Sequence, residues 1–509
     1  SAPALLMLMT KLLASLANLK SKKSALSLLK EAEPHIKAAA ARHTDSAKPL
    51  VEWALLLTQQ AEYADDLEAQ ALFEQAVAKI REVLVHTPDD AMGHATLGAV
   101  ILWRERKGAT ADSPRRLQEA IHEFKQAPEN QSILSAQLME AYHRLACLTP
   151  HSSSLALWEQ AVHHASRAVE LEPTSPLHVE NLGAMLMGYA ELFEDDQRLP
   201  LLKKASKQYA LACAINPPTL SAQLGHARSL TELSLLAPSA DAETLWSQAQ
   251  AIFATIEQSH PNDLSVLGTW GQSLLQRAEV LQTECAWETA AEVYRRAATR
   301  SVSSGSKLTW PYFGIAAALA GQAALSVDDA QACRLAGQAK AEVLTALKSE
   351  PSNSDGLSIL ASVTLQLAYH ASLPIKKELL LEASTHLSAV VVIATATNRL
   401  LNYWGQLLMQ IGMVVGADER DQFFAQAIVK FEQAFQVGKH RHLELLNQAT
   451  AWLAWAIGGK PTDAAMRLAR VEQVLSDSYE ISPTLAVRVM RTETRALRAV
   501  FATTEISEG

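Results

Sequence analysis

The chain has 509 residues, of which 49% are hydrophobic and 19% charged, and its formal net charge is −9. This composition is typical of a folded chain and excludes an intrinsically disordered one. The modest negative charge gives no general attraction to nucleic acid, so we expect no nucleic-acid partner.

The first thirty residues carry five lysines and no acidic residue. We predict an amphipathic first helix here. The alternative is the remainder of an organelle-targeting segment, because the chain begins with Ser and its N-terminus is expected to be processed.

Four cysteines, Cys147, Cys213, Cys285 and Cys333, lie far apart and form no CxxC motif. We expect buried free thiols in a reducing compartment, which is the cytoplasm or the interior of an organelle. No segment is predicted to span a membrane, since polar residues interrupt the uncharged stretch 400–417.

A short phrase ending in alanine recurs along almost the whole chain, usually with a large apolar residue three places before it. We call its last residue the phrase alanine. Successive phrase alanines are 41 to 47 residues apart, and they are Ala32, Ala76, Ala120, Ala161, Ala205, Ala249, Ala290, Ala336, Ala383, Ala427 and Ala469. A fixed period in this range is typical of an array of helical repeats.

A second landmark is a small residue ten places after a proline. Pro88, Pro173 and Pro261 are followed at this distance by Gly98, Gly183 and Gly271. We predict that one helix ends near each proline and that the next helix carries the small residue where two helices cross.

These features resemble the tetratricopeptide repeat (TPR) family. The matching residues are the Leu-Gly pairs, the phrase alanine and an aromatic residue four places after it, as at Phe124, Tyr209, Phe253, Tyr294 and Phe431. The resemblance covers nearly the whole chain and implies an all-α superhelical solenoid of about eleven antiparallel helix pairs.

The period departs from that of the family. TPR units have about 34 residues, whereas these average about 44. The additional residues lie between the small residue and the next phrase alanine, and we expect them to lengthen the first helix of each pair or the turn after it. Acidic clusters there, such as Asp65-Asp66 and Asp328-Asp329, are predicted to cap helices rather than to bind a metal.

We predict that the repeat array occupies residues 1–480, with a hinge or seam in the Ser- and Gly-rich stretch 301–306. Residues 481–509 are predicted to form a capping helix and a tail. Four arginines there are spaced by 3, 4 and 3 residues and share one helix face: Arg488, Arg491, Arg495 and Arg498. This face is either a solvated cap or a docking stripe for an acidic partner.

The resemblance also implies that the first helix of each pair lines a concave groove. Positions counted from the small residue give a lining that is mostly small and uncharged. The candidate partner-binding residues with larger functional groups are Glu140, His143, Glu180, Met187, His226, Gln272, Asn402 and Gln406. The residue after the glycine is never Asn, so we do not expect the carboxylate clamp of chaperone-binding members. A neutral groove suits a helical or extended segment of another protein.

No Gly-rich phosphate loop and no HExxH motif occurs in the sequence. We therefore predict no catalytic residue, metal or cofactor. The predicted function is a non-catalytic scaffold or adaptor that binds other proteins on its concave face. The alternatives are a fixed structural subunit of a large complex, an α/α enzyme and an RNA-binding helical repeat. The uncharged lining argues against the last two, which need converging ionisable residues or a basic groove.

Overall fold

The structure is a computed structural model. It describes residues 2–17, 21–42, 46–128, 130–149, 151–193, 195–215, 217–306, 308–393, 398–437, 441–458, 463–481, 487, 489–495 and 497–498. These residues form helices and contain no strand, which confirms the predicted all-α fold. Among them, no helix has both the length and the hydropathy that crossing a membrane requires. The chain divides into two compact units, Ser1–Gly225 and His226–Gly509.

The first unit contains five helix pairs. Their bounds are α1 (Ala2–Ala17), α2 (Lys22–Arg42), α3 (Lys48–Tyr63), α4 (Asp66–His86), α5 (Ala91–Lys107), α6 (Ser113–Lys125), α7 (Ser132–Leu148), α8 (His151–Leu171), α9 (Pro176–Ala190) and α10 (Asp195–Ala214). Each odd-numbered helix packs against the even-numbered helix that follows it. We call these the first and second helices of a pair. Because the connections are short, the two run antiparallel.

The next helix, α11 (Leu220–Leu236), crosses the boundary, and the second unit continues with helices that follow the same order. Their bounds are α12 (Ser239–Ser259), α13 (Leu264–Leu281), α14 (Glu284–Ser303), α15 (Trp310–Leu325), α16 (Asp329–Leu347), α17 (Ser354–His370), α18 (Leu373–Ile393), α19 (Asn398–Val414), α20 (Ala417–Val437), α21 (Arg441–Gly458) and α22 (Ala464–Ile481). From α13 onwards, first and second helices again pack pairwise. Within the described residues, the order of eleven helix pairs agrees with the prediction.

The phrase alanines lie in the second helices, and the ten from Ala32 to Ala427 have no exposed surface. The small residues of the first helices face the same crossings. A Cβ atom at Gly98 would lie 2.8 Å from the Phe124 ring, and one at Gly183 would lie 3.0 Å from the Tyr209 ring. These contacts confirm that small residues allow the helices of a pair to approach closely.

The additional residues of the long repeat lie between the small residue and the next phrase alanine, as predicted. Most of them belong to the second helix, whereas the first helix or the following turn was predicted. First helices have 15–18 residues, and second helices have 18–21 apart from α6 with 13. The extension is therefore mainly the N-terminal half of the second helix, before the phrase alanine, and not the first helix or the turn. In α4 the Asp65 carboxylate accepts a hydrogen bond from the Glu68 amide at 2.9 Å, so the helix starts ten residues before Ala76.

The other acidic cluster behaves in the same way. The Asp328 carboxylate accepts a hydrogen bond from the Ala330 amide at 2.9 Å and caps α16. These contacts confirm the predicted caps. Over the described part of the chain, no group of three or more His, Cys, Asp or Glu residues is arranged to hold a metal ion.

All four cysteines are free thiols, as predicted, but the expectation that they are buried was wrong. Cys147 and Cys285 are exposed, and Cys213 and Cys333 are half-buried. Partial burial raises the pKa of the Cys147 and Cys213 thiols, which favours their neutral form.

The predicted hinge at 301–306 lies within the second unit. There α14 ends, and Gly305 adopts φ +72°, a left-handed conformation that glycine tolerates. The Ser301 hydroxyl donates a hydrogen bond to the Ser306 carbonyl at 2.9 Å across this turn. The hinge itself stays a prediction.

Helical residues follow α22 where a capping helix was predicted. Val487 is fully buried in a cluster with Val471 and Leu475 of α22. Residues 499–509 of the predicted capping helix and tail lie outside the described residues.

Candidate functional site

The first helices of the second unit line a groove of 1690 Å³. Helices α13, α15 and α17 contribute most of its surface, and Arg228 of α11 and Tyr403 of α19 lie at its lining as well. The resemblance implies a binding surface made by the first helix of each pair, and that surface stays a prediction.

One aromatic ring lies between two glycines of neighbouring first helices at the groove. Tyr294 of α14 lies between Gly271 of α13 and Gly314 of α15. A Cβ atom would lie 2.7 Å from this ring at Gly271 and 2.3 Å at Gly314. Only glycine therefore permits both first helices to approach the ring. Burial raises the pKa of the Tyr294 phenol above its ordinary value, so the ring stays neutral.

Uncharged polar side chains follow the wall of the groove. Ser358, Ser362 and Gln366 are spaced four apart on α17 and so share one face. The Gln366 amide nitrogen donates to the Ala320 carbonyl at 3.1 Å, but its buried Oε1 accepts no hydrogen bond from the described residues. A buried acceptor without a donor is uncommon in folded proteins. This oxygen has no accessible surface, so a molecule in the groove does not reach it.

Apolar side chains complete the lining. Trp310, Phe313, Leu275 and Ile359 border the same groove. Of the acidic residues at the lining, Asp263 is already engaged, because its carboxylate accepts hydrogen bonds from the Ser265 amide at 2.9 Å and from the Ser265 hydroxyl at 2.6 Å. Because Arg228, Glu279 and Asp355 also line the groove, its surface offers apolar contacts together with amide, hydroxyl and charged groups.

A smaller pocket of 630 Å³ lies further along the second unit. Gln366 lines it as well as the larger groove, and Gln406 and Met409 of α19 lie on its other side. Its rim carries His370, whose Nδ1 lies 2.8 Å from the Asp329 carboxylate.

Four of the candidate residues lie on first helices of the second unit. Apart from His226, which is described below, they have different surroundings. Gln272 is exposed in the large groove, and Gln406 lines the smaller pocket. Asn402 is engaged within the protein: its amide donates to Glu444 at 3.4 Å, and its oxygen accepts from Asn447 at 3.1 Å.

Two candidates of the first unit belong to a charged network on α5 and α7. Glu140 accepts hydrogen bonds from Arg106 Nε at 2.7 Å and from Arg144 Nε at 2.9 Å. Burial acts to raise the pKa of Glu140, but the hydrogen bonds from the two arginines outweigh it and hold the pKa below its ordinary value. His143 packs against Trp158 with 5.0 Å between ring centroids, and burial, assisted by Arg144, lowers its pKa.

Glu180 and Met187, both on α9, are also largely engaged. The Glu180 carboxylate accepts a hydrogen bond from the Thr219 hydroxyl at 2.7 Å. Met187 is only 7% exposed, so it fills the core rather than a groove.

Burial lowers the pKa of His226, which is not among the residues that line the groove. Its neighbour Arg228 lines the groove instead. The prediction counted from Gly225, but that glycine packs against Tyr209 of the preceding second helix, where a Cβ atom would lie 2.2 Å from the ring. Ala227 is the equivalent small residue, because it stands 26 places before Phe253, as Gly183 stands 26 places before Tyr209.

Two of the four arginines on the C-terminal face already contact other residues of the chain. Arg488 lies outside the described residues. Arg491 lies over the Tyr479 ring at 5.1 Å, and Arg498 donates to the Glu472 carboxylate. Arg495 is exposed. A docking stripe for an acidic partner stays a prediction.

The repeat period, the buried alanines and the glycine–aromatic contacts identify the fold as a TPR-like helical repeat array. No family model and no curated protein matches the chain. Among solved structures, it is similar to yeast Tom70, with 10% identity, a TM-score of 0.41 and coverage of 97% of this chain and 96% of that one. It is also similar to a tetratricopeptide repeat protein from Parabacteroides merdae, with 14% identity, a TM-score of 0.38 and coverage of 62% and 98%. Both scores are low, so the description of the fold rests on the helices themselves.

Proposed function

We propose that this protein is a non-catalytic scaffold that binds an extended or helical segment of a partner protein in the groove of its second unit. The observation that carries the proposal is the exposed amide of Gln272 in a groove that hydroxyl and apolar side chains also line. Amide side chains suit the N–H and C=O groups of a peptide backbone, because they can both donate and accept hydrogen bonds.

The size of the groove favours a polymer segment over a small molecule. Pockets for small ligands measure roughly 300–1,000 Å³, whereas this groove measures 1690 Å³. Apolar contacts to Trp310 and Ile359 would supply affinity, and the amide groups would orient the backbone.

The experiment is affinity purification of the full chain from its source cell, followed by mass spectrometry. The groove variant carries Gln272→Arg and Ser362→Arg. A matched control carries Thr289→Arg and Thr345→Arg, two exposed positions on second helices that add the same charge. We expect substoichiometric partners to be lost with the groove variant and kept with the control.

A fixed structural subunit predicts a different pattern. Its companions would be stoichiometric, would resist high salt and would remain with both variants. That result would contradict the scaffold proposal. The same holds if the two variants lose the same partners to the same extent, because the added charge alone would then explain the loss.

A further inference from the structure

His94, near the start of α5, has a hydrogen-bond acceptor at each of its two ring nitrogens. Nδ1 lies 2.6 Å from a carboxylate oxygen of Glu123 in α6, and Nε2 lies 2.7 Å from the carbonyl oxygen of Pro88 in the turn after α4. The side chains of His94 and Glu123 are 16% and 14% exposed, so water is largely excluded from their contact. One ring therefore joins the start of α5 to two other elements.

These two contacts require a proton on each ring nitrogen. A neutral imidazole carries one N–H group and presents a lone pair at its other nitrogen, whereas an imidazolium donates from both. Because the Pro88 carbonyl can only accept, Nε2 must carry a proton. At Nδ1 the proton lies between an imidazole and a carboxylate, and a carboxyl group ordinarily has the lower pKa of the two. The geometry therefore indicates an imidazolium at His94, paired with an ionised Glu123.

A second histidine of the same unit shows the contrast. Nε2 of His178 in α9 lies 3.2 Å from the Glu172 carboxylate, but its buried Nδ1 has no hydrogen-bond partner among the described residues. A neutral ring with its proton on Nε2 satisfies this arrangement. At His94 the second proton is required because the Pro88 carbonyl faces the nitrogen that the carboxylate leaves free.

The charged groups around His94 favour the same protonation state. Burial acts to lower the pKa of His94, but the hydrogen bonds to Glu123 and to the Pro88 carbonyl outweigh it and, with the charges of Glu123 and Asp90, hold the pKa above its ordinary value. Asp90 directly precedes α5. The other helices that pack against α5 are α3, α4 and α7, and within the described residues they supply no hydrogen bond or ion pair to the ring.

We propose that His94 is a pH-sensitive latch, which fixes the start of α5 as long as its ring is an imidazolium. When the ring loses its second proton, one nitrogen presents a lone pair to an oxygen 2.6 or 2.7 Å away, and that contact must open. Because the folded-state pKa is raised, the stabilisation is fully present below the unfolded-state value of about 6.5 and is lost as the pH rises through the folded-state value. The latch lies in the first unit, so it is independent of the groove proposed for partner binding.

The test measures hydrogen–deuterium exchange of the full chain by mass spectrometry, in peptides that cover residues 88–96, between about pH 6 and about pH 9. Protection factors correct for the intrinsic effect of pH on exchange. We expect protection of this segment to fall by roughly tenfold or more as the pH rises, because a hydrogen bond of a charged group is lost. His94→Gln should remove this pH dependence. The matched control His370→Gln should keep it, because His370 lies in the second unit.

Glu123→Gln distinguishes a latch from a contact that is only structural. The glutamine amide can donate to Nδ1, so a neutral ring then satisfies both contacts. We expect this variant to keep its protection at high pH, whereas the wild-type chain loses it. Heteronuclear NMR of the imidazole rings should also show that His94 of the wild-type chain titrates above the ordinary value of 6.5. The loss of one signal in His94→Gln assigns the resonance.

Three outcomes would overturn the proposal. The first is protection of residues 88–96 that does not change with pH in the wild-type chain. The second is the same loss of protection in Glu123→Gln as in the wild type, which would trace the loss to another group. The third is titration of His94 at or below its ordinary value, which would mean that the two acceptors do not hold the second proton.

Discussion

First helices of the two units differ locally in the charge of their polar side chains. In the first unit, Glu140 of α7 accepts hydrogen bonds from Arg106 and Arg144. In the second unit, α17 carries a run of uncharged polar side chains at the groove, although Arg277 of α13 still donates to Glu243. Charged contacts therefore occur on first helices of both units, and the uncharged polar run is a local feature of α17.

We expect the largest change in stability at the buried ion pair of the first unit. Glu105 is 4% exposed, and its carboxylate accepts a hydrogen bond from Arg116. Replacing Glu105→Ala leaves the guanidinium buried without its main partner, and we expect the free energy of unfolding to fall by about 3 kcal/mol. Urea denaturation measures the effect. The double variant Glu105→Leu with Arg116→Leu should cost less, because it removes both charges; an equal or larger loss would contradict the assignment of the cost to an uncompensated charge.

The second unit should respond to crowding at its groove. Gly314→Ala places a methyl group against the Tyr294 ring, and we expect a loss of about 1–3 kcal/mol. The control is Gly337→Ala in α16, where a Cβ atom would meet nothing within 4 Å. That change should be neutral or stabilise by up to about 1 kcal/mol. Thermal unfolding of both variants measures the two effects. Equal shifts of the unfolding midpoint would show that the ring contact does not limit packing.

The charged network makes the first unit sensitive to acid. Because the folded-state pKa of Glu140 is lowered, its contribution to stability is present above the unfolded-state pKa of about 4.3 and is lost as the pH falls through the folded-state value. Glu140→Gln should therefore reduce stability near neutral pH by about 1 kcal/mol and flatten the acid limb of the stability curve. Urea midpoints measured from about pH 7 down to about pH 3 test this. Arg106→Gln should flatten the same limb, and an unchanged limb in both variants would exclude the network as its source.

The smallest effect is expected at the C-terminal arginine face. Arg498 and Glu472 form an ion pair whose side chains are 50% and 29% exposed. Arg498→Gln should change the free energy of unfolding by no more than about 1 kcal/mol, because solvent screens exposed pairs. Thermal unfolding at low and high salt measures this. A larger loss would mean that the second unit depends on charge as the first unit does.

The sequence predicted the helix pairs because the phrase alanine is required by geometry at every crossing. A position that accepts only a small residue recurs in the sequence at the repeat period. The ten phrase alanines from Ala32 to Ala427 are all fully buried. The caps were predictable for a similar reason, since Asp65 and Asp328 satisfy backbone amides that every helix start exposes.

The groove residues were less predictable because a glycine can face either neighbouring second helix. Gly183 packs on the helix that follows it, whereas Gly225 packs on the helix that precedes it, and both contact Tyr209. Counting from Gly225 therefore pointed to His226 and missed Arg228. The network of the first unit was missed as well, because Arg106 and Glu140 lie 34 residues apart, which is shorter than the repeat of 41 to 47 residues.

The ring of Tyr294 has a thermodynamic consequence for the groove. Because the ring occupies the space between Gly271 and Gly314, α13 and α15 cannot move closer without expelling it. The groove therefore has a fixed minimum width before any partner arrives. A segment that fits this width binds without ordering the receptor, so the entropic cost of association falls mainly on the partner.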